Sequence, residues 1–134
     1  MIGLDTNILV RYFMRDDPAQ YAKTRHLIDE VLTPQRPGYV SLIVLVEFIW
    51  VLGRSFRIDR DGISRAVSTI LNSLDIRVED EPLVHQAYTG FVSSRVDLAD
   101  LIISLTNMRA GCEFTVSFDA DAISSELMKA VTAV

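Results

Sequence analysis

The sequence predicts an α/β domain built on a parallel sheet, and three observations carry that expectation. Short apolar or β-branched runs alternate with longer segments of helical periodicity along the whole chain. The links between successive candidate strands are long enough for helical crossovers, which parallel pairing requires. No repeat, low-complexity stretch or linker interrupts the pattern. With 134 residues, 49% of them apolar and 23% charged, the chain is expected to form one domain, 1–134, with a sizeable core.

The elements follow in order. Residues 1–4 read as a short buried strand ending at Asp5, and Asp5 or Thr6 can cap a helix from Asn7 to about Arg15. Asp17-Pro18, with Gln20 at capping-box spacing, starts a second helix that runs to about Leu32 with Ala22, Leu27, Ile28, Val31 and Leu32 inward. A proline-bearing loop, 33–38, leads to a very short strand at Tyr39-Val40. Ser41 caps the helix 42–52, which Gly53 closes, and Asp59 or Asp61 starts the next one, with Ile63, Ala66, Val67, Ile70 and Leu71 on one face. Ile76 and Val78 alternate as a strand, and Pro82 opens a helix. Asp97 caps the helix 98–110, ended by Gly111, and 114–118 is rich in β-formers. The tail offers a short helix and a candidate edge strand at 131–134. The predicted class is therefore a three-layer α/β/α domain around a central parallel sheet of four or five short strands.

Composition narrows the chemistry. A single cysteine, Cys112, excludes a disulfide framework, and two histidines, His26 and His85, cannot build a Cys/His zinc site. The opening MIGLDTNILV has no basic leader, and no apolar run approaches the ~20 residues needed to cross a bilayer, so a cytoplasmic protein is expected. The formal charge of -5 argues at first against a nucleic acid partner.

The placement of carboxylates reverses that first impression. In LIVLVEFIWVL (42–52) Glu47 is the lone charge in a helix apolar all round, so it is expected to be buried and to need a cation or a partner. Asp5 and Asp119 each follow a candidate strand at its carboxyl end, where ligands of open α/β sheets bind, although each also suits a helix cap. Asp97 and Asp100 share a helical face, with Asp97 as the natural cap and Asp100 crowded by Ala99, Leu101 and Ile102. Four acids from four elements, Asp5, Glu47, Asp100 and Asp119, would oppose one another without a counter-charge. Oxygen-only donors favour Mg²⁺, with Mn²⁺ able to substitute, and such a site suits hydrolysis of a phosphodiester. Removing these acids from the charge balance leaves the rest of the chain near neutrality, so the acidity does not repel RNA everywhere.

These motifs resemble the PIN-domain ribonucleases, and most closely the VapC-type toxins of bacterial toxin–antitoxin pairs. IGLDTNILVRYF is similar to the family's first motif, with Asp5 as first acid and Thr6 and Asn7 as supporting polar residues. SLIVLVEFIWVL matches the second through Glu47, and VDLADLIISL the third through Asp100, with Asp97 as accessory ligand. TVSFDADA matches the fourth, with Asp119 as acid and Ser117 in place of the commoner threonine. The resemblance covers nearly the whole chain. It implies a Mg²⁺-dependent endoribonuclease whose catalytic and metal-binding acids are Asp5, Glu47, Asp100 and Asp119. It also implies an RNA substrate, a homodimer and a VapB-type antitoxin that covers the site. Two readings stand beside it: an RNA-processing PIN nuclease outside any toxin–antitoxin pair, and a catalytically silent binding module.

Other residues are weighed against plainer roles. Arg11 and Arg15, one turn apart after the first motif, are candidate RNA contacts. Arg54, Arg57, Arg60 and Arg65, interspersed with Asp59 and Asp61, read as a self-paired charged stretch or as a phosphate surface. Trp50 is assigned to the core rather than to a base-stacking platform, Cys112 to a packed thiol, and Asp121 to solvent. A haloacid-dehalogenase phosphatase would need an acid where Asn7 stands, and a response-regulator domain an adjacent acidic pair after the first strand; neither exists.

Overall fold

A computed structural model describes all residues, Met1–Val134, and their contacts divide into two compact units, Met1–Glu81 and Pro82–Val134. In the first unit the order is β1 (Ile2–Gly3), α1 (Thr6–Met14), α2 (Pro18–His26), a π-helical turn (Leu27–Val31), β2 (Gly38–Val40), α3 (Leu42–Arg54), α4 (Arg60–Asn72) and β3 (Ile76–Val78). The strands pair in parallel in the order β1-β2-β3, with Gly38 opposite both Ile2 and Ile76. Helical crossovers make this pairing possible, as the spacing of the strands predicts.

Local chemistry starts these helices. The Asp17 carboxylate accepts from the Gln20 N–H at 3.0 Å, the Ser41 hydroxyl from the Val44 N–H at 3.3 Å, and the Asp59 carboxylate from the Gly62 N–H at 2.8 Å. Each such cap is worth about 1 kcal/mol over alanine. Gln20 does not complete a reciprocal box, because its Oε1 accepts from Arg11 Nε at 2.6 Å. Leu9 and Val10 of α1, Leu45, Phe48 and Leu52 of α3, and Val67 and Ile70 of α4 are buried. The Phe13 and Phe48 rings lie 5.4 Å apart, tying α1 to α3. Complete burial of a side chain such as Phe48 contributes roughly 1.5–3 kcal/mol.

Gly38 sets how closely β1 lies on β2. A Cβ there would fall 2.8 Å from Leu4 Cδ1 and 2.9 Å from Leu32 Cδ1, distances real side chains do not tolerate. Its bare Cα lets the buried Leu4 seat against the strand, and Asp5 follows at once.

The second unit carries most of α5 (Glu81–Val92), then α6 (Leu98–Arg109), β4 (Val116–Ser117), α7 (Ala120–Ser124), β5 (Lys129–Ala130) and a 3-10 turn (Val131–Ala133). β4 and β5 are parallel, with Val116 opposite Lys129. Leu83, Val84, Ala87, Phe91, Leu98 and Ile102 are among its buried residues. Gly111 ends α6 at a φ of +94°, a conformation that favours glycine.

The α/β class with parallel strands and helical crossovers is as the sequence predicts, and five short strands are present in a three-stranded and a two-stranded ladder. Several boundaries differ. The strand expected over 114–118 contracts to Val116–Ser117, since the Lys129 N–H reaches only back to the Thr115 carbonyl. The last strand lies at Lys129–Ala130 rather than 131–134, which has no partner and coils into the 3-10 turn. From Leu27 the second helix widens into the π turn, and Ala22 is exposed while Thr24 is buried. Gly53 does not close α3, which runs through it to Arg54. Cys112 is an exposed free thiol, not a packed one. No helix is long and apolar enough to cross a membrane.

Candidate active site

In the first unit, Asp5 occupies the N-cap position of α1 with an extended backbone, yet its side chain accepts no capping hydrogen bond. The carboxylate is exposed and uncommitted, while its carbonyl accepts from the Ile8 N–H at 3.0 Å. Thr6 is buried, with 4% of its surface exposed, and Asn7 is exposed. Asn7 lines a shallow cavity of about 270 Å³ with Arg11, Gln20 and Lys23. Arg11 is held there by Asp16 at 2.8 Å as well as by Gln20. Arg15 adopts a left-handed backbone, φ 54°, with its guanidinium 5.0 Å from the centre of the Tyr21 ring. Arg11 is thus ion-paired within the unit, while Arg15, exposed, stacks on Tyr21 and makes no ion pair.

Glu47 corrects the sequence reading. It is exposed, not buried, because α3 packs through one side only, by Leu45, Phe48, Ile49 and Leu52. The opposite stripe, Ile43, Glu47, Trp50 and Arg54, faces solvent, with Ile43 at 81% and Trp50 at 44% exposure. An apolar composition all round a helix does not bury all of it. Trp50 therefore leaves the predicted core. The sequence reading also missed Glu79, whose Oε2 accepts from the Leu42 N–H at 2.7 Å. With Ser41 it anchors the N-terminus of the helix that carries Glu47. An acid directly after the strand at Ile76–Val78 was the available signal.

In the second unit, Asp97 repeats the pattern of Asp5: it holds the N-cap position of α6 but makes no side-chain cap. The sequence favours Asp97 as the cap, and the geometry withholds the hydrogen bond that defines one. Asp100 is half-buried, between buried Ala99 and Ile102. Burial pushes its carboxyl above the usual range, and the negative charges of Asp119 and Asp97 push it further. These three acids are therefore near enough to repel. Asp119, exposed, caps α7 through Oδ1, which accepts from the Ala122 N–H at 2.8 Å. The Ser117 hydroxyl accepts from the Asp119 N–H at 2.9 Å, fixing the turn that presents this acid. Asp121 is exposed in the first turn of α7.

Of the four acids expected in apolar surroundings, only Asp100 is so placed; Asp5, Glu47 and Asp119 are exposed. No three Asp, Glu, His or Cys side chains stand as a ready-made metal-holding group. By donor chemistry the residues do fit a hard divalent cation. Taken unit by unit, Asp5 in the first has a carboxylate without a competing cap, and in the second Asp97 has another, beside a repulsion around Asp100 that positive charge relieves.

Comparison with known proteins adds two findings. A family model described as "PIN domain" matches residues 2–125. A VapC ribonuclease of Aquifex aeolicus (strain VF5) is 24% identical over 115 residues, spanning 86% of this chain and 84% of that protein.

Proposed function

The chain belongs to the PIN-domain family, and from that premise we propose that it is a metal-dependent endoribonuclease acting as the toxin of a toxin–antitoxin pair. Family and relative together support a nuclease-like function in general. The finer reading assigns 1–134 as one nuclease domain and Asp5, Glu47, Asp100 and Asp119 as its catalytic and metal-binding acids. Asp97 serves as accessory ligand, and Thr6, Asn7 and Ser117 support the acids. RNA is the substrate, a VapB-type antitoxin the inhibitor, the homodimer the working form and the cytoplasm its location. The relative's printed activity, a ribonuclease, supports RNA as the substrate, and the order of the four motifs supports the choice of acids.

The observation that carries the reading is the uncommitted carboxylate at two helix N-caps, Asp5 and Asp97, both within the acidic motifs. Mg²⁺, or Mn²⁺ in its place, supplies Lewis-acid activation of water and neutralisation of phosphate charge when bound. The chain's own residues prepare for that. Asp100 holds a proton more readily than an ordinary carboxyl, so its charged form favours a nearby cation. Asp119 spends Oδ1 on Ala122 and keeps Oδ2 for a ligand, while Ser117 orients its backbone.

The test is direct. Purified free of any antitoxin and incubated with a mixed RNA pool, the chain should cleave with Mg²⁺ and not with chelator. Asp5→Asn and Glu47→Gln should each lower that cleavage by about 10³. Metal-independent cleavage that survives both substitutions would mean a contaminating nuclease and end the assignment.

A further inference from the structure

The exposed stripe of α3 contains an arrangement that the acidic site does not use. Ile43, Glu47, Trp50 and Arg54 fall within roughly 60° of one another around the helix, at about 100° per residue. The Arg54 guanidinium lies over the indole of Trp50, 5.1 Å from the ring centre. Trp50 keeps 44% of its surface open, which leaves part of a large aromatic face, with its polar N–H, accessible to a partner. Arg54 makes no ion pair, and the Asp59 carboxylate caps α4 through Oδ1. The first member of the arginine-rich stretch is thus solvated and not ion-paired. Further along, Arg57 and Arg65 line a cavity of about 570 Å³ beside Phe13 and Leu52.

We propose that the Trp50–Arg54 pair is a nucleobase-stacking and phosphate-contacting platform that positions single-stranded RNA beside Glu47. The proposal rests on the endoribonuclease reading above and deepens it. Trp50 lies ~4.5 Å along the helix axis from Glu47, slightly more than the ~3.4 Å step of one nucleotide in a stacked strand. The indole therefore lies within about one to two nucleotide steps of Glu47 along the stripe. Indole and guanidinium both offer flat faces to any base, so the platform is tolerant of sequence, while the fixed positive charge attracts the phosphate. Glu47 alone would repel the strand; Arg54 on the same stripe offsets that charge where the backbone passes. Trp50 is a positioning residue here, not a catalytic one.

Trp50 is the single tryptophan of the chain, so its emission reads the contact directly. Asp100→Asn full-length protein is titrated in Mg²⁺ with a mixed-sequence RNA oligonucleotide and with an abasic ribose-phosphate chain of equal length. Saturable quenching by the base-bearing strand, weak or absent with the abasic one, is expected. Trp50→Ala, followed by anisotropy of labelled RNA, should weaken binding about tenfold, with Trp50→Phe intermediate. In the cleaving protein the same change should raise KM and leave kcat within about twofold. Leu74→Ala, an exposed apolar change in the loop before β3, should alter none of these. RNA that binds with no change in emission, or equal quenching by the abasic strand, overturns the proposal while leaving the nuclease assignment intact. Emission that shifts with protein concentration alone shows a second copy covering the indole and also overturns it. Failure of the unaltered chain to bind or cleave RNA removes the nuclease reading, and the platform with it.

Discussion

Two sets of helix N-termini carry an aspartate in the same backbone position and use it differently. At α2 and α4, Asp17 and Asp59 close hydrogen bonds to the Gln20 and Gly62 amides. At α1 and α6, Asp5 and Asp97 hold extended cap backbones with no such bond. The first pair works for stability. The second leaves capping energy of about 1 kcal/mol per helix uncollected, and both members lie in the acidic motifs. Asp119 stands between, one oxygen given to α7 and one kept. The lesson is that a residue type favoured at a cap does not reveal its role; whether the bond is made does.

The comparison breaks most sharply on activity. Asp5→Asn should reduce RNA cleavage by about 10³, on the order of 4 kcal/mol in the barrier, with the urea midpoint nearly unchanged. Loss of stability alongside activity would show that Asp5 holds the fold after all. Asp59→Ala should do the reverse, lowering unfolding free energy by about 1 kcal/mol while cleavage at 25 °C persists. For Asp119 the two roles separate by choice of substitution. Asparagine preserves the cap and removes the charge, so cleavage falls with little change in midpoint, whereas alanine adds a cap-sized stability loss of about 1 kcal/mol.

The smallest effect is a pH dependence at Asp100. Its carboxyl is raised by burial and by Asp119 and Asp97, so the folded chain binds this proton more tightly than the unfolded one. Stability from this group is then greatest in acid, below the ordinary carboxylate range, and falls as pH rises towards the raised value. Metal-free Asp100→Asn should therefore melt slightly higher than the unaltered chain at neutral pH, and the gap should close in acid. Mg²⁺ should narrow the neutral gap by stabilising only the chain with the charged acid. A variant that melts lower at neutral pH would contradict the repulsion.

Much of this was legible in the residues. Order and type of most elements follow from periodicity and cap chemistry, and the family likeness was carried by four short acidic motifs. What misled was α3: eleven residues with one charge read as wholly buried, yet packing took only the face of Leu45, Phe48 and Leu52. Periodicity is blind when every position is apolar, so the open side carrying Glu47 and Trp50 could not be told from the closed one. The tail failed for another reason. Strand ends are set by partners, and Val131 onward has none. Glu79 was visible as an acid directly after β3, but its partner, a helix end 37 residues away in sequence, leaves no local signature.

Gly38 has a consequence for genetics. If unrestrained expression of this chain stops growth, survivors of a mutant library are those that inactivate it. Any side chain at position 38 must displace the ends of Leu4 and Leu32, so bulky substitutions there should be recovered among the survivors. Asp5 should be recovered just as often, and soluble yield would part the two. Clones altered at Gly38 would be lost to aggregation or proteolysis, and clones altered at Asp5 would accumulate as intact, harmless protein.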